Sequence, residues 1–171
     1  MSIRALTRRG ALAHVGAFAL LPAVAVRGAL AQPVVRFRDI GVDVSPLRAR
    51  AGDPTARWVQ QELPGDLANA LAAYMSPGER DAATLVARID YVYLGRTTGG
   101  TGPGGGSVDW IEGVLIVRGW RGGVAAETPL RAITSYQPNA ADQALVEEGY
   151  HSRVSALARA FASWVPRQLG L

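Results

Sequence analysis

A single-faced apolar stripe near the carboxyl end constrains this chain more than any other feature. Tyr150, Val154, Leu157, Phe161 and Trp164 step by four, three, four and three, the spacing that lines one side of an α-helix. A helix is therefore predicted from about Ala140 to Gln168, with Asn139 as its N-cap and Asp142 favouring its first turn. A second stripe, Val59, Leu63, Leu67, Leu71 and Tyr74, predicts a helix over Thr55 to Met75, ended by Ser76-Pro77-Gly78. Pro64 interrupts it. The stripe keeps its phase across the proline, which favours one kinked helix; two helices, the second starting at Pro64, is the alternative. Each helix has one stripe to bury, and a sheet beneath both satisfies them together.

The segments between them alternate with a period of two. Val34 to Val44 reads as a first strand whose apolar phase changes near Asp39 or Gly41, the mark of a bulge or bend, and Ser45 to Asp53 reads as a connection. Thr84 to Leu94 sets Leu85, Ala87, Ile89, Tyr91 and Tyr93 against Val86, Arg88, Asp90, Val92 and Leu94. After a glycine-rich loop, Val108 to Trp120 and Val124 to Tyr136 form a hairpin about Arg121-Gly122-Gly123. Pro129 has no amide proton to donate, so the last strand is either an edge or broken there. The expected fold is α+β: a four-stranded mixed or antiparallel sheet with two helices on one face, in the order β-α-β-β-β-α.

The first 31 residues read differently. A basic start, an apolar stretch from Gly10 to Val26, and Ala29 and Ala31 before Gln32 form an export signal with a cleavage site. The apolar stretch is alanine-rich and interrupted by Pro22, a poor match to the roughly 20 strongly apolar residues of a membrane span. Thr7-Arg8-Arg9-Gly10-Ala11-Leu12 resembles the twin-arginine signal of folded export, with Ala11 at its usual aromatic position. Arg4, Arg8, Arg9 and Arg27 are the only charged residues of this leader, so its removal turns a formal charge of +4 into 14 arginines against 14 acids. A neutral body is no partner for nucleic acid. Residues 32–171 have the length of one domain, able to bury a core unaided. With no cysteine there is no disulfide, no thiol nucleophile and no residue for a lipid anchor.

No motif for chemistry stands up. The Gly99-to-Gly106 loop lacks a Lys-Ser/Thr ending and leads into a strand, so it offers phosphate neither a helix dipole nor a lysine, and a hairpin connection explains it. Glu148 and His151 have metal-ligand spacing, but His14 leaves with the leader and His151 is then the only histidine; it is expected beside the apolar stripe, paired with Glu147 or Glu148. Ser152 is its neighbour and points elsewhere, while Ser107, Ser135, Ser155 and Ser163 would need the tertiary fold to reach it. Asp39 and Asp43 are about 13 Å apart on a regular strand, and Asp109 and Glu112 face opposite ways. Asp90 is expected in solvent or beside Arg88 or Arg118. No cofactor and no metal site are expected.

The aromatics carry the one hint of binding. Trp110 and Trp120 share a parity with Val114 and Ile116, while Ile111, Leu115 and Val117 fill the other. A strand apolar on both sides predicts a cover for the second face of the sheet: another subunit, a ligand, or the loop itself.

From Val34 to Leu169 the order of elements resembles small periplasmic domains of envelope-assembly lipoproteins, such as the auxiliary lipoproteins of ABC-type lipid transporters and the lipopolysaccharide-assembly lipoprotein. The resemblance implies a noncatalytic subunit that docks on a larger envelope machine through its sheet. Those relatives carry a lipid-bearing cysteine after the leader, where this chain has Gln32 and Pro33. The leading expectation is thus a periplasmic or secreted binding or assembly module. Its partner is an envelope protein or a second copy of itself, and its contact surface is Trp110, Val114, Ile116 and Trp120 with Gly99, Gly102 and Gly105 of the loop. A small exported hydrolase built on Asp90 and Asp109, and a carrier holding an apolar ligand between sheet and helices, are the alternatives.

Overall fold

The computed structural model describes residues 35–95, 107–136 and 146–171. Four strands, β1 (Phe37–Asp43), β2 (Ala83–Tyr93), β3 (Ser107–Arg118) and β4 (Val124–Tyr136), lie side by side in that order. β1 runs parallel to β2 because a helical crossover joins them, and the other pairs are antiparallel. The sheet is mixed, and the order of elements is the expected one apart from an added short helix.

That helix, α1 (Ser45–Ala51), occupies the segment expected to be a connection. Pro46 suits a first turn, where no amide donor is needed, and the Arg48 amide donates to the Val44 carbonyl at 2.8 Å. Seven residues burying only Leu47 are too short for a periodic signal. Gly52, at φ +82°, ends α1 and lets the chain turn straight into α2 (Asp53–Ala70). The Asp43 carboxylate accepts the Ser45 amide at 2.9 Å, and these bonds from Ser45 hold its pKa below the ordinary value. A carboxyl with a lowered folded pKa stabilises fully above the ordinary carboxylate range and loses that contribution as pH falls through the folded value. Asp43→Asn should therefore cost about 0.5 kcal/mol at neutral pH and nothing in strong acid, as read from urea melts at the two pH values.

α2 continues unbroken through Pro64, which disposes of the two-helix alternative, and a 3-10 turn at Ala72–Tyr74 completes the stripe. Val59, Leu63, Leu67 and Leu71 are all fully buried. The last helix, α3 (Val146–Gln168), departs more from expectation: Tyr150 and Trp164 are exposed, and the buried face is Arg153, Val154, Leu157, Ala158, Phe161, Ala162 and Val165. Alanines at 158 and 162 add a second row to the buried side, which rotates the helix and leaves the two large aromatics at the margin of the packed face. Asn139, Ala140 and Asp142, where this helix was expected to begin, lie outside the described residues.

α2 and α3 pack on one face of the sheet, with Phe37, Leu85, Ile89, Ile111, Leu115, Leu157 and Phe161 forming a single core. Those side chains fill the space in which a carrier would hold its ligand. β4 is an edge, which accommodates Pro129, and it runs intact through the proline opposite Val114. Gln168 of α3 donates its side-chain amide to the Pro129 carbonyl at 3.0 Å, so the middle of this edge is poorly suited to adding another strand.

Candidate functional site

The helices cover one face of the sheet, and the site is built on the other. Two irregularities in β2 and β3 shape it. The register shifts between Ile89 and Tyr91, so Val92 joins Leu85, Ala87 and Ile89 in the core while Tyr91 and Tyr93 cross to the open face. This corrects the strict alternation read from Thr84 to Leu94. Gly113 makes the bulge possible: a Cβ there would stand 2.3 Å from the Arg88 carbonyl oxygen. Tyr93 is thereby paired with Trp110, and their rings stack with centroids 3.9 Å apart at 20°. Ile133, opposite Trp110 on β4, is 59% exposed, and Val108 is 53% exposed. Natural sheets seldom leave aromatic and branched side chains clustered in water without a use for them.

Beside this cluster the charges are paired within the face. Arg88 donates to Asp90 through Nε at 2.9 Å and through Nη2 at 3.3 Å, which raises the Arg88 pKa. Arg131 pairs with Glu112. A shallow depression of about 420 Å³ lies between Asp90, Glu112, Val114, Pro129 and Arg131. Asp90 thus has the Arg88 partner that its sequence neighbourhood offered.

Of the residues singled out for contact, Trp110, Val114 and Ile116 stand together on the open face, Ile116 nearly buried there. Trp120 does not join them. β3 ends at Arg118, so Trp120 sits in the turn, 51% exposed, with the Arg121 guanidinium 4.5 Å from its ring centroid. Parity along a strand stops having meaning once the strand stops. Gly99, Gly102 and Gly105 lie outside the described residues. Tyr91 and Tyr93, which a regular Thr84-to-Leu94 alternation puts on the side of Leu85, Ala87 and Ile89, belong to this face; the signal for their crossing was Gly113, a glycine inside an otherwise branched strand.

The largest surprise is on the other side of the sheet. Asp109 is fully buried and Arg153 is 6% exposed. Arg153 donates from Nε to Asp109 Oδ2 at 2.8 Å, and from Nη2 to the Gly95 carbonyl at 2.7 Å, to Ser107 Oγ at 3.0 Å and to Asp109 Oδ1. Asp109 also accepts the Gly95 amide at 2.9 Å and the Ser107 hydroxyl at 3.2 Å. The guanidinium lies 4.8 Å from the Tyr136 ring centroid and 5.7 Å from that of Tyr150. Hydrogen bonding to Asp109 raises the Arg153 pKa, against the pull of burial, so the cation is secure at any physiological pH. One arginine thereby ties the end of β2, the start of β3, the end of β4 and the start of α3 together. Its position four residues before Leu157, on the buried face, was the legible clue.

Other candidates disperse. Asp90 faces outward and Asp109 inward, so the two carboxylates proposed for hydrolysis share no reacting position. His151 meets Glu62 of α2, not its own helix neighbours: Nε2 is 3.2 Å from Glu62 Oε1, out of line for a hydrogen bond, and the Trp58 ring lies 5.5 Å away. Glu62 also accepts the Ser155 hydroxyl at 3.5 Å, which puts the carboxylate between serine and histidine and leaves the imidazole no route to activate Ser155. Among the described residues no cluster of three or more His, Asp or Glu side chains is placed to hold a metal ion, and no helix is long and apolar enough to cross a membrane.

No protein-family model matches the chain, and no curated protein matches it. Solved structures similar to it include lipoproteins. A minor lipoprotein from Acinetobacter baumannii is 18% identical, with 78% of this chain and 92% of that one covered, at a TM-score of 0.44. Rare lipoprotein B from Shewanella oneidensis is 15% identical over 77% of this chain and 97% of its own, at a TM-score of 0.38. PelC from Paraburkholderia phytofirmans, solved as a dodecamer, is 12% identical over 78% of this chain and 90% of its own, also at 0.38.

Proposed function

We propose that this protein is a noncatalytic binding or assembly module of the cell envelope, exported to the periplasm or beyond, and that a protein partner docks on the open face of its sheet. The observation that carries this reading is the cluster of exposed Tyr93, Val108 and Ile133 around the half-buried Trp110, on a sheet face that no helix among the described residues covers, with Tyr93 brought there by the bulge opposite Gly113. Arg88 with Asp90 and Arg131 with Glu112 satisfy each other beside the cluster, so what the cluster itself offers a partner is apolar and aromatic surface.

The test places a photo-crosslinking amino acid at Ile133 and, as a control, at Arg159 on the exposed side of α3, in cells with an intact envelope. The expected result is one discrete adduct from position 133, none from position 159, and weakening of the isolated complex by about tenfold or more in Ile133→Glu. Adducts of the chain with itself alone would identify the partner as a second copy; equal labelling from both positions would overturn the reading.

A further inference from the structure

A different surface, independent of the open face, lies at the end of the sheet where β3 turns into β4. Registry brings Asp39 of β1, Thr84 of β2, Arg118 of β3 and Val124 of β4 into one row. Beyond that row project the hairpin tip, Gly119-Trp120-Arg121-Gly122-Gly123, closed by the Gly119 amide donating to the Gly123 carbonyl at 2.9 Å, and the turn into β2, where Glu79, Arg80 and Asp81 are exposed. Trp120 and Val124 are both more than half exposed. Arg121 lies over the indole and Arg118 stands at its base; from Arg118 to Val124 there is no acid. Arg38 reaches across to Thr84 Oγ1 and the Arg80 carbonyl at the same end, and none of these arginines forms a salt bridge among the described residues. Exposed Val35, the first described residue, also emerges here.

From this arrangement we infer that the β3–β4 tip docks on the interface of an anionic phospholipid bilayer, Trp120 entering the headgroup layer with Arg118 and Arg121 on lipid phosphates. An indole is at its most favourable in that layer, where the ring is half dehydrated and its N–H still finds a polar partner. Arginines flanking it add attraction to negative headgroups, with no acid inside the hairpin to oppose them. A tip docked in this way stands the sheet on its end and leaves the open face available along its length.

The test is co-sedimentation with phosphatidylcholine vesicles with and without phosphatidylglycerol. It uses the full chain and the chain starting at Gln32, which keeps every core residue from Phe37 onward. In each background the comparison is between variant and parent, so the leader's own affinity cancels. Binding should require phosphatidylglycerol, fall about thirtyfold in Arg118→Ala/Arg121→Ala and about tenfold in Trp120→Ala, and change little in Arg159→Ala, which removes an exposed arginine from α3. Equal binding to neutral vesicles, as large a loss in Arg159→Ala as in a tip arginine variant, or indifference to the tip substitutions would overturn it. So would equally tight binding to duplex DNA at the same salt. The tip is solvent-exposed, and circular dichroism confirming native folding in Arg121→Glu keeps the result readable if Trp120→Ala proves unstable.

Discussion

Arg153→Ala should lower the unfolding free energy by about 3–5 kcal/mol, because it leaves the Asp109 carboxylate fully buried without its cation. Two large effects oppose each other at this site. Taking both charges out of water costs several kcal/mol per ion, and their mutual attraction with the Gly95 and Ser107 hydrogen bonds offsets that cost only while every member is present. Removing one partner keeps the cost and discards the compensation. Removing both does not: Asp109→Leu/Arg153→Met should recover most of the loss, and urea melts of the single and double variants give the coupling directly. A single-variant loss below about 1 kcal/mol would mean that water reaches the pair.

Gly113→Ala should be the second most damaging change, at about 3 kcal/mol, although it adds one methyl group. The new Cβ would meet the Arg88 carbonyl oxygen at 2.3 Å and the Ile89 Cδ1 at 3.1 Å, and a backbone carbonyl cannot swing aside as a long side chain can. Relief requires the β2 bulge to move, which also shifts Tyr91 and Tyr93. The near-ultraviolet circular dichroism of the Tyr93–Trp110 stack should weaken along with thermal stability. A variant with reduced stability and an unchanged aromatic signal would show that the bulge does not place Tyr93.

How much of this was legible in the sequence follows from the reach of each signal. Long segments announce themselves: α2 is readable through Pro64 because its stripe never loses phase, and β3 and β4 because two runs of twelve and thirteen residues flank the Arg121-Gly122-Gly123 turn. α1 escaped notice because seven residues make less than two turns. The β2 bulge escaped because period-two reading has no place for an inserted residue, and one insertion transfers every later side chain to the other face. Arg153 has the helical spacing of a buried position, but arginine is rarely buried, and the partner that makes its burial possible lies 44 positions away. In the candidate site, Trp110, Val114 and Ile116 were found from strand parity, while Tyr93 and Ile133 needed the pairing of three strands.

The two surfaces have separable consequences. A partner on the open face buries apolar area and should be insensitive to salt, whereas the hairpin tip works through charge and should weaken as ionic strength rises.

Hydroxyl-radical footprinting of the protein, first isolated and then in its native envelope, tests the sheet-face account most directly. Oxidation of Tyr93, Trp110 and Ile133 should fall sharply in the envelope while Trp164, exposed on α3, oxidises as before. Equal oxidation of all four in both settings would mean that nothing covers the face, and the account would fail.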